Sequence, residues 1–420
     1  MFTCIISFIV GFEYSLFFLF IVGLFLFYCL IGYGSIGLGL FSELVVIDSL
    51  SLVMSTLTVL LYIVLSVIGA SNVFLTVSVM SALICYMAVN ALVFWFFYEL
   101  SIICALFLLV KDSLYPERYL ASWYLGCYIL LGSVPLLLCI LYLGISVGSF
   151  NFCMWLSDKL VARSVVLVVV AIIFSSKIPL FPFHGWLPLV HAEASSPVSI
   201  ILSGYIMKLG LVGILRICWG SLSVWNVGFI LTLIFFFSLL YIISSHYESD
   251  SKRWLALLSL SHIVISVILL FLGDYSFELV GLFYCLGHGL AAGGMFMLIW
   301  WVNTLINSRS WSLVVKFYGF SVILQLLSAL VFMMVSGFPP SLQIFGEILA
   351  VDACIISGEL VLLILVSLYL FGASLVVLTV LGSVLCSLSS SSNVNFSYTV
   401  VVVVGVVYYI FVGLLLFIFV

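Results

Sequence analysis

Six ionisable side chains stand inside stretches that are otherwise hydrocarbon: Glu99, Lys177, Lys208, His262, His288 and Glu347. Glu99 is the only charged residue between Asp48 and Lys111, within the run LVFWFFYELSIICALFLLV. Lys208 follows Ile200, Ile201, Leu202 and Ile206 and precedes Leu209, Leu211 and Val212, on what reads as an apolar helix. Glu347 lies between Lys316 and Asp352, with apolar sequence and a helix break before it. His262 (in LSLSHIVISV) and His288 (in CLGHGLAAGG) sit inside apolar spans. A charge at bilayer depth costs about 2.5–3.5 kcal/mol on insertion scales, so such a residue persists where it is used. The chemistry that these types permit is proton movement. Burial disfavours the charged forms of lysine and glutamate, and pairing one with the other opposes that penalty. Histidine titrates near neutral pH. A Glu–Lys pair and a row of Lys and His groups can therefore exchange protons through water as the local field changes.

Plainer readings stand beside this one. Glu99 can serve packing alone, as a carboxylate hydrogen-bonded to a neighbouring helix, although an idle buried carboxylate is costly. Lys177 closes the apolar run that follows Arg163, so it can snorkel to the interface. The prolines just after it, Pro179 and Pro182, argue instead for a helix that breaks in mid-membrane. A lone core histidine is more often structural than functional; two of them, in a chain with buried Lys and Glu, point to a relay. Nucleophilic catalysis has no signature, because no Ser or Cys is placed with a base and an orienting acid. No glycine loop cradles phosphate; the glycines recur in helices, where close helix packing explains them.

The elements that must position these groups are membrane helices. Hydrophobic residues make up 66% of the 420, charged residues 6%, and the mean hydropathy is +1.50. No soluble domain of this size has that composition, which is that of an all-α polytopic membrane protein. The ten-residue alternation of an outer-membrane barrel is absent. A net charge of -4 carries little information in a chain mostly within lipid. Without a basic face, nucleic acid is excluded as a partner. The eleven cysteines are scattered singly with no C-x-x-C pair, which offers neither a metal site nor a disulfide framework. Abundant Phe, Gly, Val, Leu, Cys and Trp with scarce Pro, Gln and Lys fit a T- and G-biased organellar gene. Balanced third codon positions would refute that origin.

Apolar stretches long enough to span run at 5–31, 44–70, 72–90, 92–110, 121–145, 162–183, 194–219, 224–245, 254–273, 277–303, 318–337, 340–357, 359–386 and 398–419. This predicts about 13–14 transmembrane helices, the uncertainty lying at Gly337-Phe338-Pro339-Pro340, which either divides two helices or breaks one. The N-terminus lacks a basic region and a cleavage site and reads as a first span. The connections are short, including a serine-rich turn near 387–393, so the expectation is a single membrane domain over 1–420. Breakers beside charges (Pro179 and Pro182 after Lys177, Pro339 and Pro340 before Glu347) are the pointer to two inverted repeats with discontinuous helices. The expected division is N-terminal helices over 1–71, a first half over 72–219, a second over 224–386 and a C-terminal helix at 398–419. The Lys and Arg share loops with Asp and Glu, which leaves the positive-inside rule weak.

The sequence resembles the antiporter-like membrane subunits of respiratory complex I over about residues 48–357. Tyr98-Glu99, Pro116-Glu117-Arg118 and Gly132-Ser133-x-Pro135-Leu136 look like that family's glutamate-bearing helix, its loop and the next helix. Lys177-x-Pro179, His184-x-Trp186-Leu187-Pro188, His191-x-Glu193-Ala194 and Lys208-Leu209-Gly210 resemble its central signature. Asp250-x-Lys252 with Ser261-His262, then His288-Gly289-Leu290 and Pro339-Pro340-x6-Glu347, complete the set. Each motif alone is weak; the combination is highly specific. The resemblance implies a proton-pumping subunit with no redox cofactor of its own, in the mitochondrial inner membrane. Its partners would be other complex I membrane subunits, especially neighbouring antiporter-like ones, and membrane lipids. By matching position, Glu99 would pair with Lys177, Lys208 would connect the half-channels, and Glu347 would be the terminal group of the second half. His262 and His288 would line the water path between them.

The sequence departs from the pattern at Leu189, where the family usually has lysine, and at Ser195, where a proline is expected directly after Glu-Ala. The N-terminal region looks short, and residues 358–420 match in hydropathy only. Two rivals remain at this stage. One is a subunit of a Mrp-type cation/proton antiporter, with the same fold and charges; the other is a membrane scaffold whose buried charges only join helices.

Overall fold

The computed structural model describes residues 40–41, 45–70, 72–113, 116–155, 161–218, 227–272, 275–318, 322–387 and 399–419. The expected first span at 5–31 and, apart from Ser387, the serine-rich turn lie outside them. The described residues are helical apart from short connections and one two-residue ladder, Leu40–Phe41 antiparallel to Val46–Ile47. Among the described residues, eight helices are long and apolar enough to cross a membrane, and four shorter ones are apolar too. In chain order the helices are α1 (Ser49–Val67), α2 (Val73–Met87), α3 (Ala91–Asp112), α4 (Arg118–Val147) and α5 (Val161–Lys177). Then come α6 (Trp186–Glu193), α7 (Ser196–Ile217), α8 (Val227–Tyr247), α9 (Ser251–Leu272) and α10 (Tyr275–Ile306). The series ends with α11 (Trp311–Tyr318), α12 (Val322–Val335), α13 (Gln343–Ser357), α14 (Leu360–Leu385) and α15 (Thr399–Phe419).

Contacts between helix ends sort the bundle into two faces. On one, Asp48 pairs with Arg216 at 2.6 Å, Arg216 also donates to the Tyr86 carbonyl, and Asn90 bridges Asn151. On the other, Asn72 donates to Asp112, Ser113 donates to the Glu193 carbonyl, and Asp250 bridges Ser310. The passes α2, α3, α4, α5–α6 and α7 therefore alternate between the faces. The passes α8, α9, α10, α12–α13 and α14 alternate in the opposite phase, which is an inverted repeat. Both fourth passes are broken: α5 stops at Lys177 before Pro179 and Pro182, and α12 stops at Val335 before Pro339 and Pro340. The second break thus divides one pass rather than two helices. A proline ring removes a backbone donor and clashes with the preceding turn, so an apolar run containing two of them cannot stay one helix.

Hydropathy alone does not set burial: among the eight spans the most apolar, α14, is peripheral, while the two least apolar, α7 and α10, are central. In α1, α7, α9 and α10 the buried share of the span is 83%, 94%, 89% and 94%, against 38%, 39% and 33% in the peripheral α4, α8 and α14. Glycines set the closest approaches: a Cβ on Gly204 of α7 would lie 2.3 Å from Leu61, and one on Gly289 of α10 would lie 2.7 Å from Leu57. Thus α7 and α10 both press on α1, which brings them side by side.

Asp48 caps α1 as well as pairing with Arg216: its carboxylate accepts from Ser51 N at 2.9 Å, and Ser51 Oγ accepts from Asp48 N at 2.8 Å. Asp48→Asn keeps a capping oxygen and loses the charge, whereas Asp48→Ala loses both. The alanine variant is expected to be the less stable of the two by about 1 kcal/mol, the usual worth of such a cap. Thermal melting in detergent checks this; equal midpoints would mean that the cap contributes nothing.

Candidate functional site

The structure gathers the ionisable residues into two adjoining clusters. In the first, Glu99 of α3 and Lys177, the last residue of α5, lie 3.8 Å apart with both side chains buried. Lys177 Nζ also sits 5.8 Å from the centre of the Tyr98 ring, within cation–π range. Gly132 of α4 leaves the room: a Cβ there would lie 3.0 Å from Lys177 Cε. The helix break at Lys177 therefore does not release that side chain to the interface. It turns inward, onto the carboxylate.

The second cluster begins on α7. Residues Leu202–Ile206 form a π-turn inside this helix, just before Lys208. Such turns are uncommon and concentrate at functional positions. Lys208 is fully buried, its ammonium donating to the Ser203 carbonyl and lying 3.0 Å from His288 Nδ1 of α10. The His288 and His262 rings are 5.8 Å apart. His262 Nδ1 of α9 is 2.6 Å from the Tyr369 hydroxyl of α14 and 3.2 Å from the Tyr284 hydroxyl of α10. Tyr284 packs against Gly346 of α13, where a Cβ would lie 2.5 Å from its ring, and Glu347 is the next residue. Its carboxylate rests on Gly337, at the break between α12 and α13, where a Cβ would lie 2.5 Å from Oε1. Gly210 of α7 packs on Ile178, directly after Lys177, so the two clusters occupy adjoining helices.

A third group of polar contacts surrounds the end of α6, at the face of the bundle. Three successive carbonyls are each taken by a side chain from a different part of the chain: Ala192 by Arg309, Glu193 by Ser113 at 2.5 Å, and Ala194 by Lys252 at 2.7 Å. Arg309 also lies 3.7 Å from the Glu193 carboxylate and 3.6 Å from Asp250. A cavity of about 160 Å³ opens here, lined among others by Glu117, Glu193, Asp250, Arg253 and Arg309. His191, on the same turn of α6, is fully buried and stacked on Phe296 at 5.1 Å, with neither ring nitrogen bonded to protein among the described residues. Both departures in the central motif settle here: Leu189 lines the cavity, and Pro197 falls in the first turn of α7, where a missing N–H is harmless. Among the described residues, no His, Cys, Asp and Glu group is arranged to hold a metal ion.

Residues 88–375 match the family model described as NADH:quinone oxidoreductase/Mrp antiporter, TM. The chain belongs to this family. Within the NADH:quinone oxidoreductase/Mrp antiporter family it is similar to NADH-ubiquinone oxidoreductase chain 4 of Rhipicephalus sanguineus, 31% identical over 278 residues. That match takes in 63% of this chain and 62% of the relative, so the chain spans under two thirds of that protein's length. NADH-quinone oxidoreductase subunit M of Rickettsia typhi is 28% identical over 281 residues, 63% of this chain and 55% of that one. Among solved structures, a chain of respiratory complex I from Thermus thermophilus with bound NADH superimposes with a TM-score of 0.83 at 20% identity, covering 98% of this chain and 91% of that one. A chain of the Mrp complex from Dietzia sp. DQ12-45-1b superimposes with a TM-score of 0.79 at 16% identity, covering 90% and 74%. At these identities the superpositions establish the fold.

The sequence reading missed Tyr284 and Tyr369, and noted Lys252 only within the Asp250-x-Lys252 motif, without a role. Tyr284 had a signal: it precedes His288 by four residues, so a helix puts both on one face. Tyr369 had none, being one aromatic in the uniformly apolar α14.

Gly337 has φ +76° and touches Glu347, whereas Gly358 has a similar φ of +73° and open space around it. Gly358→Ala should show the cost of the backbone conformation alone, roughly 1–3 kcal/mol. Gly337→Ala should be the more destabilising, because it also evicts the Glu347 carboxylate. Thermal melting of the two variants side by side measures the difference, and equal losses would remove the contact from the argument.

Proposed function

We propose that this chain is a proton-translocating, chain-4-type membrane subunit of mitochondrial NADH:ubiquinone oxidoreductase. The observation that carries the reading is the buried series from Lys208 through His288, His262 and the two tyrosines, which leads to the partly buried Glu347, with the Glu99–Lys177 pair on adjoining helices. Family membership and the similarity to chain 4 proteins support the assignment to that complex. Electron transfer from NADH to ubiquinone belongs, on this reading, to other subunits. The inner mitochondrial membrane and neighbouring antiporter-like subunits follow as location and partners.

The chemistry is proton transfer, directly where groups are in contact and through water between the two histidines. The Lys208 ammonium gives a proton to the free lone pair of His288 Nδ1 and becomes a neutral amine. The resulting imidazolium releases a proton from its other nitrogen, through water, to His262 Nε2. His262 then passes its Nδ1 proton to the Tyr369 or Tyr284 hydroxyl, which yields its own proton toward Glu347. Each histidine is left with its proton on the nitrogen that received it, so a ring flip or a tautomer exchange through water restores it before the next transfer. Lys177 competes for control of the field at Lys208: paired with Glu99 its charge is offset, and freed from that pair it disfavours a second ammonium nearby. The cavity at the end of α6, with His191 behind it, is the aqueous mouth on that face.

Lys208→Ala in the assembled complex is expected to lower proton pumping and coupled quinone reduction by on the order of tenfold or more, as loss of a positioned proton-transfer group does. Full coupled activity would sink the role given to Lys208. Tyr369→Phe removes one hydroxyl while keeping the ring that packs on Phe235. It should give a smaller loss of pumping, with electron transfer in uncoupled membranes unchanged. The assignment to the complex is tested by native isolation of the chain from membranes. Co-migration with NADH- and quinone-reducing subunits supports it. Migration alone, or only with other antiporter-like chains, would replace it with a Mrp-type antiporter.

A further inference from the structure

Lys208 owes its place to a turn wider than an α-turn. Met207 N–H donates to the Leu202 carbonyl, five residues back rather than four. In such a turn a residue stands over the carbonyl five positions before it. For Lys208 that residue is Ser203, whose carbonyl the ammonium takes while it faces His288. With ordinary α-helical spacing, Gly204 would stand there instead, and the residues before the turn would be rotated by about 100° against those after it. That rotation would carry the Ser203 carbonyl away from the ammonium. Wide turns of this kind are rare, so contacts from outside the helix must hold this one.

Gly204 fits against Leu61 of α1, a contact that fills space but sets no direction. Direction comes from Tyr205, the next residue of the turn, which is 1% exposed. Its hydroxyl oxygen lies 2.7 Å from Ser78 Oγ of α2. Ser78 Oγ gives its single proton to the Ser101 carbonyl of α3 at 2.9 Å. The bond between the two hydroxyls therefore runs from Tyr205 to Ser78. This series does not relay protons, because it ends on a backbone carbonyl that has no proton to pass on. What it does is hold the turn to two other helices, and Ser101 is two residues beyond Glu99. We propose that Tyr205 is a positioning residue for Lys208. Its bond to Ser78 keeps the turn wide, which keeps the Ser203 carbonyl under the ammonium and the ammonium on His288. It also ties Lys208 to the helix that carries the carboxylate of the other cluster. The inference rests on the proton-transfer role given to Lys208.

Tyr205→Phe in the assembled complex keeps the ring and removes the hydroxyl. Protons pumped per NADH oxidised should fall by about fivefold, the usual net worth of one hydrogen bond. The amount of assembled complex and electron transfer in uncoupled membranes should stay unchanged. Ser78→Ala breaks the same bond from the other side and should give a like loss, with the double variant no worse than either single one. The decisive background is Lys208→Ala. A residue that acts only through Lys208 has nothing left to act on there, so adding Tyr205→Phe should leave the residual pumping unaltered. A further fall of about fivefold in that background would mean that Tyr205 supports the helix generally, and would overturn the proposal. So would native pumping by Tyr205→Phe and by Ser78→Ala, or a loss confined to the amount of complex that assembles. Full pumping by Lys208→Ala alone is a different result: it removes the role of Lys208 itself, and this inference with it.

Discussion

A bilayer interior offers no water to a charged or polar group, and the rest of this structure depends on that constraint. A partner within the protein offsets the cost of an ionisable side chain set at depth, and a polar partner found there needs a further one. The Lys208 ammonium takes the Ser203 carbonyl and His288; His288 lies beside His262; His262 takes two phenols. A chain of such obligations has to run on until it reaches a group that opens to the outside. The continuity of the series is thus a consequence of solvation before it is a consequence of function.

Positioning that series falls to features that carry no charge. Gly204 and Gly289 let α7 and α10 close on α1, Gly132 leaves room for Lys177, and Gly346 admits the Tyr284 ring beside Glu347. The two proline breaks place the end of one helix and a glycine turn inside the bundle, where Lys177 and Glu347 sit. Backbone irregularity at membrane depth is tolerable only when protein or water surrounds it. Lys177–Leu180 of the first break and Ser336–Gly337 of the second are buried in protein.

The fold was largely legible in the sequence, because hydropathy and helix breakers are read directly from residue order. The spans, both interruptions and the inverted arrangement follow from Pro179, Pro182, Pro339 and Pro340 and from the lengths of the apolar runs. The charged members of the site were legible for a similar reason: Glu99, Lys208 and Glu347 stand out against hydrocarbon. Neutral polar groups do not. Tyr369 is one aromatic among many until folding brings α14 against His262, and the grip of Lys252 on the Ala194 carbonyl joins residues 58 positions apart. Such contacts belong to tertiary packing, and no local pattern encodes them.

The three carbonyls at the end of α6 have a mechanical meaning. The donors that hold them come from the end of the Glu99 helix, the start of the His262 helix and the segment after the His288 helix. These elements share one anchorage at a single membrane face. A tilt of any of them must either carry the others along or break a side-chain hydrogen bond to this segment. That end of the bundle is therefore the stiff fulcrum, and motion within it is displaced to the proline breaks, one of them at Lys177 and the other against Glu347.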